Sequence, residues 1–205
     1  MSQTSFSTRR SLLPPTALLL AAGLLTACSA SPSSPPSPTP DTRPLGDVTT
    51  APKECGLVSK QSIERATGLG DFTVEKYMSD DGKYLDSCYI YTKPRNKSGY
   101  RLRIEIDTSP LPLSNIEQIK ASSDGVDLPA DAGPGFTFTL VESGVKYESA
   151  GWAWARDGSS MLTVTLAETP SNRDPQKDAA EFIRQLRPIV LDTDRASTRA
   201  SGRRQ

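Results

Sequence analysis

The chain has 205 residues, 24 Lys and Arg against 24 Asp and Glu, three cysteines and no histidine. A charge balance of this kind argues against nucleic acid as a partner, because that affinity rests on clustered cations displacing counterions. The missing imidazole removes Ser-His-Asp and Cys-His nucleophile systems and the histidine zinc sites, so the chain is read as a non-enzyme without a cofactor.

In chain order, Arg9 and Arg10 precede an uncharged and largely apolar run from Leu12 to Leu25, and Leu25-Thr26-Ala27-Cys28 follows. That pattern is a lipoprotein signal peptide over residues 1–27 with a lipobox, Cys28 being the lipidated residue. Pro14 and Pro15 interrupt the run, and it is shorter than the roughly 20 residues that cross a hydrocarbon core as a helix, so a permanent transmembrane span is the weaker reading. Lipidation predicts a cell-membrane location on the extracytoplasmic face, held by acyl chains on Cys28. Arg9-Arg10 also fits a twin-arginine export signal, and the export route stays open. Removing the signal takes two arginines and no acid, leaving 22 against 24 and a net charge of −2.

Residues 28–53, beginning at the lipidated cysteine, are rich in Ser, Pro and Thr and offer almost nothing to bury, which predicts a disordered tether. With Cys28 assigned to lipid, Cys55 and Cys88 remain to form a disulfide in an oxidising compartment, the alternative being two buried free thiols. Residues 54–190 are the expected domain, and residues 191–205 a polar, arginine-bearing tail without order.

Within the domain, Ser59 is placed to cap a helix over 60–67 that Gly68 stops. Residues 71–78 and 84–92 read as strands flanking a turn at Ser79 to Lys83, and Tyr100 to Asp107 alternates apolar and charged residues as a half-buried strand should. Ser114 with Glu117 forms a capping-box pattern opening a second helix. Phe136–Val141, Val145–Arg156 and Ser159–Ala167 read as three more strands, the last two joined through Asp157-Gly158. Asp174 and Pro175 open a last helix with Ala179, Phe182, Ile183 and Leu186 on one stripe, ended by Pro188. The expected fold is therefore α+β and single-domain, an antiparallel sheet packed against three helices in the order αβββαβββα.

Cys55-Gly56-Leu57-Val58, the helix ending in Ala66-Thr67-Gly68 and Cys88 in a following strand resemble an actinobacterial lipoprotein family with a shared extracytoplasmic domain of unknown function. That family is similar in fold to the sensor domain of a mycobacterial serine/threonine kinase. The resemblance covers residues 54–188 and implies a curved antiparallel sheet with helices and a ligand cleft. An aromatic commonly lies two residues after the second cysteine in that pattern, and here the position holds Ile90.

Trp152 and Trp154 lie two apart on one strand and so share a face, where indoles can hold a sugar or an apolar ligand. The competing reading makes them core beneath the closing helix, and Tyr89 and Tyr91 pose the same choice. Asp124, Asp127 and Asp131 are weighed as calcium ligands against ordinary turn residues. Lys93, Arg95, Lys97, Arg101 and Arg103 are weighed as a surface for anionic lipid or wall polymer against a solvated run. The leading expectation is a membrane-anchored, non-enzymatic binding or accessory domain of the cell envelope, meeting an envelope lipid, a glycan or a membrane protein. The alternatives are a carboxylate-based glycan hydrolase and a protein-interaction module for a membrane partner.

Overall fold

The computed structural model describes residues 38–80, 82, 84–93, 99–108, 112–142, 145–146, 149–155 and 158–191. The signal peptide, Cys28, residues 29–37 of the expected tether and residues 192–205 lie outside them, as do Arg95, Lys97 and Asp157.

Helix α1 runs Lys60–Thr67 and buries Ile63 and Ala66; Gly68 closes it at φ 71°, donating its N–H to the Glu64 carbonyl at 2.8 Å. Only a residue without Cβ adopts that left-handed conformation freely. Ser59 stands at the N-cap position but makes no side-chain cap bond. Strands β1 (Lys53–Glu54) and β2 (Val58–Ser59) form a small antiparallel pair just before it.

Three strands follow, β3 (Phe72–Met78), β4 (Leu85–Thr92) and β5 (Leu102–Asp107), and then helix α2 (Leu113–Ser122). The expected capping box does not form: the cap position is Pro112, and Ser114 is already inside the helix, where its hydroxyl no longer reaches the first free amides. Next come β6 (Val126–Asp127), a 3₁₀ turn at Ala130–Ala132, β7 (Gly135–Phe138), β8 (Val141–Glu142) and β9 (Val145–Lys146). Strands β10 (Ser149–Trp154) and β11 (Met161–Leu166) complete the sheet, and α3 (Pro175–Val190) closes the chain. The fold is α+β with three α-helices and an antiparallel sheet. The expected order lacked the five two-residue strands: β8 and β9 arise because the stretches read as 136–141 and 145–156 each break into two pieces, and β1, β2 and β6 lie outside the stretches read as strands.

The main sheet has seven strands in the order β3-β4-β5-β11-β10-β7-β6, all neighbours antiparallel. Helix α3 packs on one face against β10, β11 and β7. Its stripe of Ala179, Phe182, Ile183 and Leu186 is fully buried, each large side chain worth roughly 1.5–3 kcal/mol of transfer free energy. Beneath it the sheet presents Gly151 and Ala153, and a Cβ added at Gly151 would stand 2.6 Å from the Ile183 Cδ1. Small residues let the helix come close; Leu102, Ile104, Leu162, Val164 and Leu166 fill the same layer.

Asp174 caps α3, its carboxylate accepting from the Gln176 and Lys177 amides at 3.1 and 3.2 Å, with Pro175 first in the helix. Pro188, expected to end this helix, lies inside it; the helix continues to Val190, and Leu191 still donates to the Arg187 carbonyl at 2.8 Å. Proline removes one amide donor, which near a helix end is a smaller loss than in the interior.

Part of the expected tether is folded. Leu45 and Val48 are 1% and 0% exposed and belong to the main apolar cluster. The segment from Pro38 to Gly46, the arm, is fastened at several points: the Asp41 amide donates to the Asn172 carbonyl at 2.6 Å and Arg173 Nη1 to the Arg43 carbonyl at 3.1 Å. Ser62 Oγ donates to the Leu45 carbonyl at 3.1 Å, and Arg65 bonds the Pro44 carbonyl. Gln185 accepts from the Val48 amide and donates to the Gly46 carbonyl, both at 2.8 Å. Two apolar side chains and this set of backbone bonds offset the ordering entropy that a Pro-rich composition otherwise leaves unopposed. Cys55 and Cys88 are disulfide-bonded, with Cα atoms 6.1 Å apart, tying the β1–β2 hairpin to the sheet.

Candidate functional site

Residues directly opposite in antiparallel strands share a face, so the pairing register maps the surface turned away from α3. One row crosses the sheet as Glu75, Tyr89, Arg103, Thr165, Ala150 and Phe138; the next as Tyr77, Ser87, Glu105, Thr163, Trp152 and Phe136. Aromatic rings therefore stand at both ends of this face, with small hydroxyl residues and one charged pair between them.

At one end Trp152 and Trp154 pack on Phe136, with ring centroids 5.7 and 6.4 Å away, and Trp152 meets Phe138 edge-on at 5.1 Å. Phe136 and Phe138 are buried, as is Ile116 of α2, while both indoles are half-buried. The indoles thus share a face, as their spacing requires, but the reading that puts them beneath the closing helix does not hold. Their neighbours Gly151 and Ala153 hold that position, because the bulky alternates would keep α3 off the sheet.

At the other end Tyr89 is the hub of a tyrosine cluster, edge-on to Tyr77 and Tyr100 with centroids at 5.6 Å each and stacked on Tyr91 at 6.2 Å. Tyr91 and Tyr100 are buried, Tyr89 is half-buried and Tyr77 is 53% exposed. The Tyr89 hydroxyl donates to Glu105 Oε1 at 3.1 Å. Burial, and then the Glu105 charge, raises the Tyr89 pKa, so the phenol stays protonated and a donor. Arg103 lies 3.3 Å from the Glu105 carboxylate and 5.0 Å over the Tyr100 ring.

Among the described residues, the basic run is paired rather than free. Lys93 pairs with Asp71 at 3.3 Å, Arg101 pairs with Glu168, and Arg103 with Glu105. Asp127 is paired with Lys120 and Asp124 turns the chain at φ 52°; the three loop aspartates form no ligand set among the described residues.

Chemically, this face offers apolar rings beside hydroxyls and an internally compensated Arg–Glu pair, a composition suited to contact and hydrogen bonding with an amphipathic molecule. Phe136, Phe138 and Glu105 were missed as site residues by sequence reading, which weighed Arg103 only as part of a basic surface and not as the partner of Glu105. Their signal was parity: Phe136 and Phe138 repeat the two-residue spacing of Trp152 and Trp154, and a pairing register aligns the two sets. No protein-family model, curated protein or solved structure matches this chain.

Proposed function

We propose that the mature protein is a lipid-anchored domain on the extracytoplasmic face of a cell membrane, where it binds an envelope lipid or glycan without transforming it. The observation that carries the binding reading is the aromatic floor opposite α3, where Trp152 and Trp154 are held in place by Phe136 and Phe138 yet remain half-buried. Rings left partly open beside hydroxyls and an Arg–Glu pair match the composition of a ligand surface.

The location rests on other residues. The lipobox at Leu25 to Cys28 supplies the anchor, and the Cys55–Cys88 bridge is what an oxidising compartment leaves once Cys28 carries lipid. The resemblance to the actinobacterial lipoprotein family supports the same reading.

Tryptophan fluorescence is the test, since the two Trp residues of the chain both lie on the proposed surface. Titration with a panel of envelope lipids and glycans is expected to shift the emission saturably with at least one class, and Trp152→Ala to abolish the shift while leaving the fold intact. Silence across the panel would remove the site. Mass spectrometry of native material showing Cys28 without acyl chains would separately remove the anchor.

A further inference from the structure

We propose that helix α2 is a lid on the aromatic floor and that what it admits is the hydrocarbon chain of an envelope lipid, a reading that rests on the binding role of that face and narrows its ligand from lipid or glycan to lipid.

The attachment of α2 is slight for a helix of ten residues. It buries one residue, Ile116, whereas α3 buries six. Leu113 at its start is 50% exposed, and Ile119 is half-buried. Its first turn has no side-chain cap. Among the described residues its polar contacts stay local. The Asn115 and Ile116 amides donate to the Pro112 carbonyl, the Ser122 and Ser123 hydroxyls to the Ile119 carbonyl, and Lys120 pairs with Asp127 just past the helix.

The chain leaves α2 through Asp124, at φ 52°, and Gly125, where an added Cβ would stand 2.8 Å from the Phe136 ring. That close approach pins one end of the lid and makes a pivot. A segment held by so little buried apolar surface opens locally, at a free energy below that of global unfolding. Withdrawing Ile116 is the step that opens it.

What lies beneath selects the ligand. Phe136, Phe138, Ala150 and Met161 are 0–7% exposed and form one apolar cluster with Ile116, edged by Leu140, Trp152 and Trp154. Apart from the Met161 thioether, a weak acceptor, the side chains of this floor carry no polar atom. A sugar there would strand its hydroxyls without partners, a penalty an alkyl chain escapes. Methylene groups replace the Ile116 contacts in kind. Farther along the face Tyr89 and Arg103 both engage Glu105.

Ligand and Ile116 compete for the same floor, so the apparent affinity is the intrinsic one reduced by the fraction of open lid. Loosening the lid must therefore tighten binding. Truncating a fixed wall would do the opposite.

The test is equilibrium binding of cis-parinaric acid, a fluorescent long-chain fatty acid that accepts energy from tryptophan. The mature chain carries Cys28→Ser, which keeps acyl chains of its own out of the assay. Saturable energy transfer is expected, with binding about tenfold tighter in Ile116→Ala. Asp127→Asn only loosens the exposed pair with Lys120 and should tighten binding about twofold; its sign carries the test if Ile116→Ala does not fold. In the parent, α2 amides should exchange hydrogen about a hundredfold faster than those of α3. Unchanged or weaker binding in Ile116→Ala, with α3 protection intact, or α2 amides protected as strongly as α3, would overturn the lid and leave the binding face standing. Cellohexaose shifting the tryptophan emission while parinarate transfers nothing would overturn the hydrocarbon ligand. Silence with both removes the face itself.

Discussion

Truncating Leu45 to alanine discriminates most sharply between a docked arm and a free tether. Leu45 is 1% exposed and shares an apolar cluster with Ile63 and Phe182. Leu45→Ala removes three carbons, about 2.4 kcal/mol at ~0.8 kcal/mol per buried methylene, and an unrelaxed cavity raises the cost towards about 5 kcal/mol. The arm is a single segment able to settle inward, so the lower part of that range, about 2.5–3 kcal/mol, is expected. With urea slopes of about 1–3 kcal/mol/M for a small domain, the unfolding midpoint should fall by roughly 1–3 M. Thr42→Ala, on the exposed side of the same arm, is the control and should stay within about 0.5 kcal/mol of the parent. If Leu45→Ala moves the midpoint no further than Thr42→Ala does, the arm is outside the cooperative unit and the packing described above is wrong.

Reducing the Cys55–Cys88 bridge opens a loop of 33 residues, worth about 3.7 kcal/mol on the chain-entropy model and roughly 7–15 °C in Tm; calorimetry with and without reductant reads it. Gly151→Val drives a side chain into Ile183, 2.6 Å from the new Cβ, and should cost about 1–3 kcal/mol by overpacking in a denaturant titration. Asp174→Ala removes the α3 cap and should cost about 1 kcal/mol, measurable the same way. Asp41 and Glu181 both have carboxyl pKa values below their ordinary 3.8 and 4.5, through hydrogen bonds from Arg43 and Arg184. Groups depressed in this way stabilise the fold above those ordinary values and lose that contribution as pH falls through the lowered ones. Urea midpoints should therefore drop on acidification below the carboxylate range, and less steeply in Asp41→Asn.

Periodicity made the regular elements legible. The Ala179, Phe182, Ile183 and Leu186 stripe and the alternation of Leu102, Ile104 and Ile106 with charged residues each repeat a local spacing, and both elements stand where that spacing puts them. The arm was not legible, because its order comes from partners far along the chain: Val48 is held by Gln185, 137 residues away. A composition average also hides two apolar residues among prolines and threonines. For the candidate site, the shared face of Trp152 and Trp154 followed from strand geometry, but which of the two faces α3 would cover did not. The small residues Gly151 and Ala153 carried that information, since a closing helix packs against the side with less volume. Phe136 and Phe138 became site residues only once the β7–β10 register was known.

Strand β10 carries two interleaved surfaces in one short stretch, and they answer to different constraints. Position 151 is bound by volume, so even a methyl group there would stand 2.6 Å from Ile183 Cδ1 in the helix seat. Positions 152 and 154 lie on the opposite face, packed on Phe136, and can change chemistry without moving α3. Substitution at alternate residues of a single strand can therefore alter the aromatic face alone, whereas inserting one residue there would put indoles under the helix and unmake the fold.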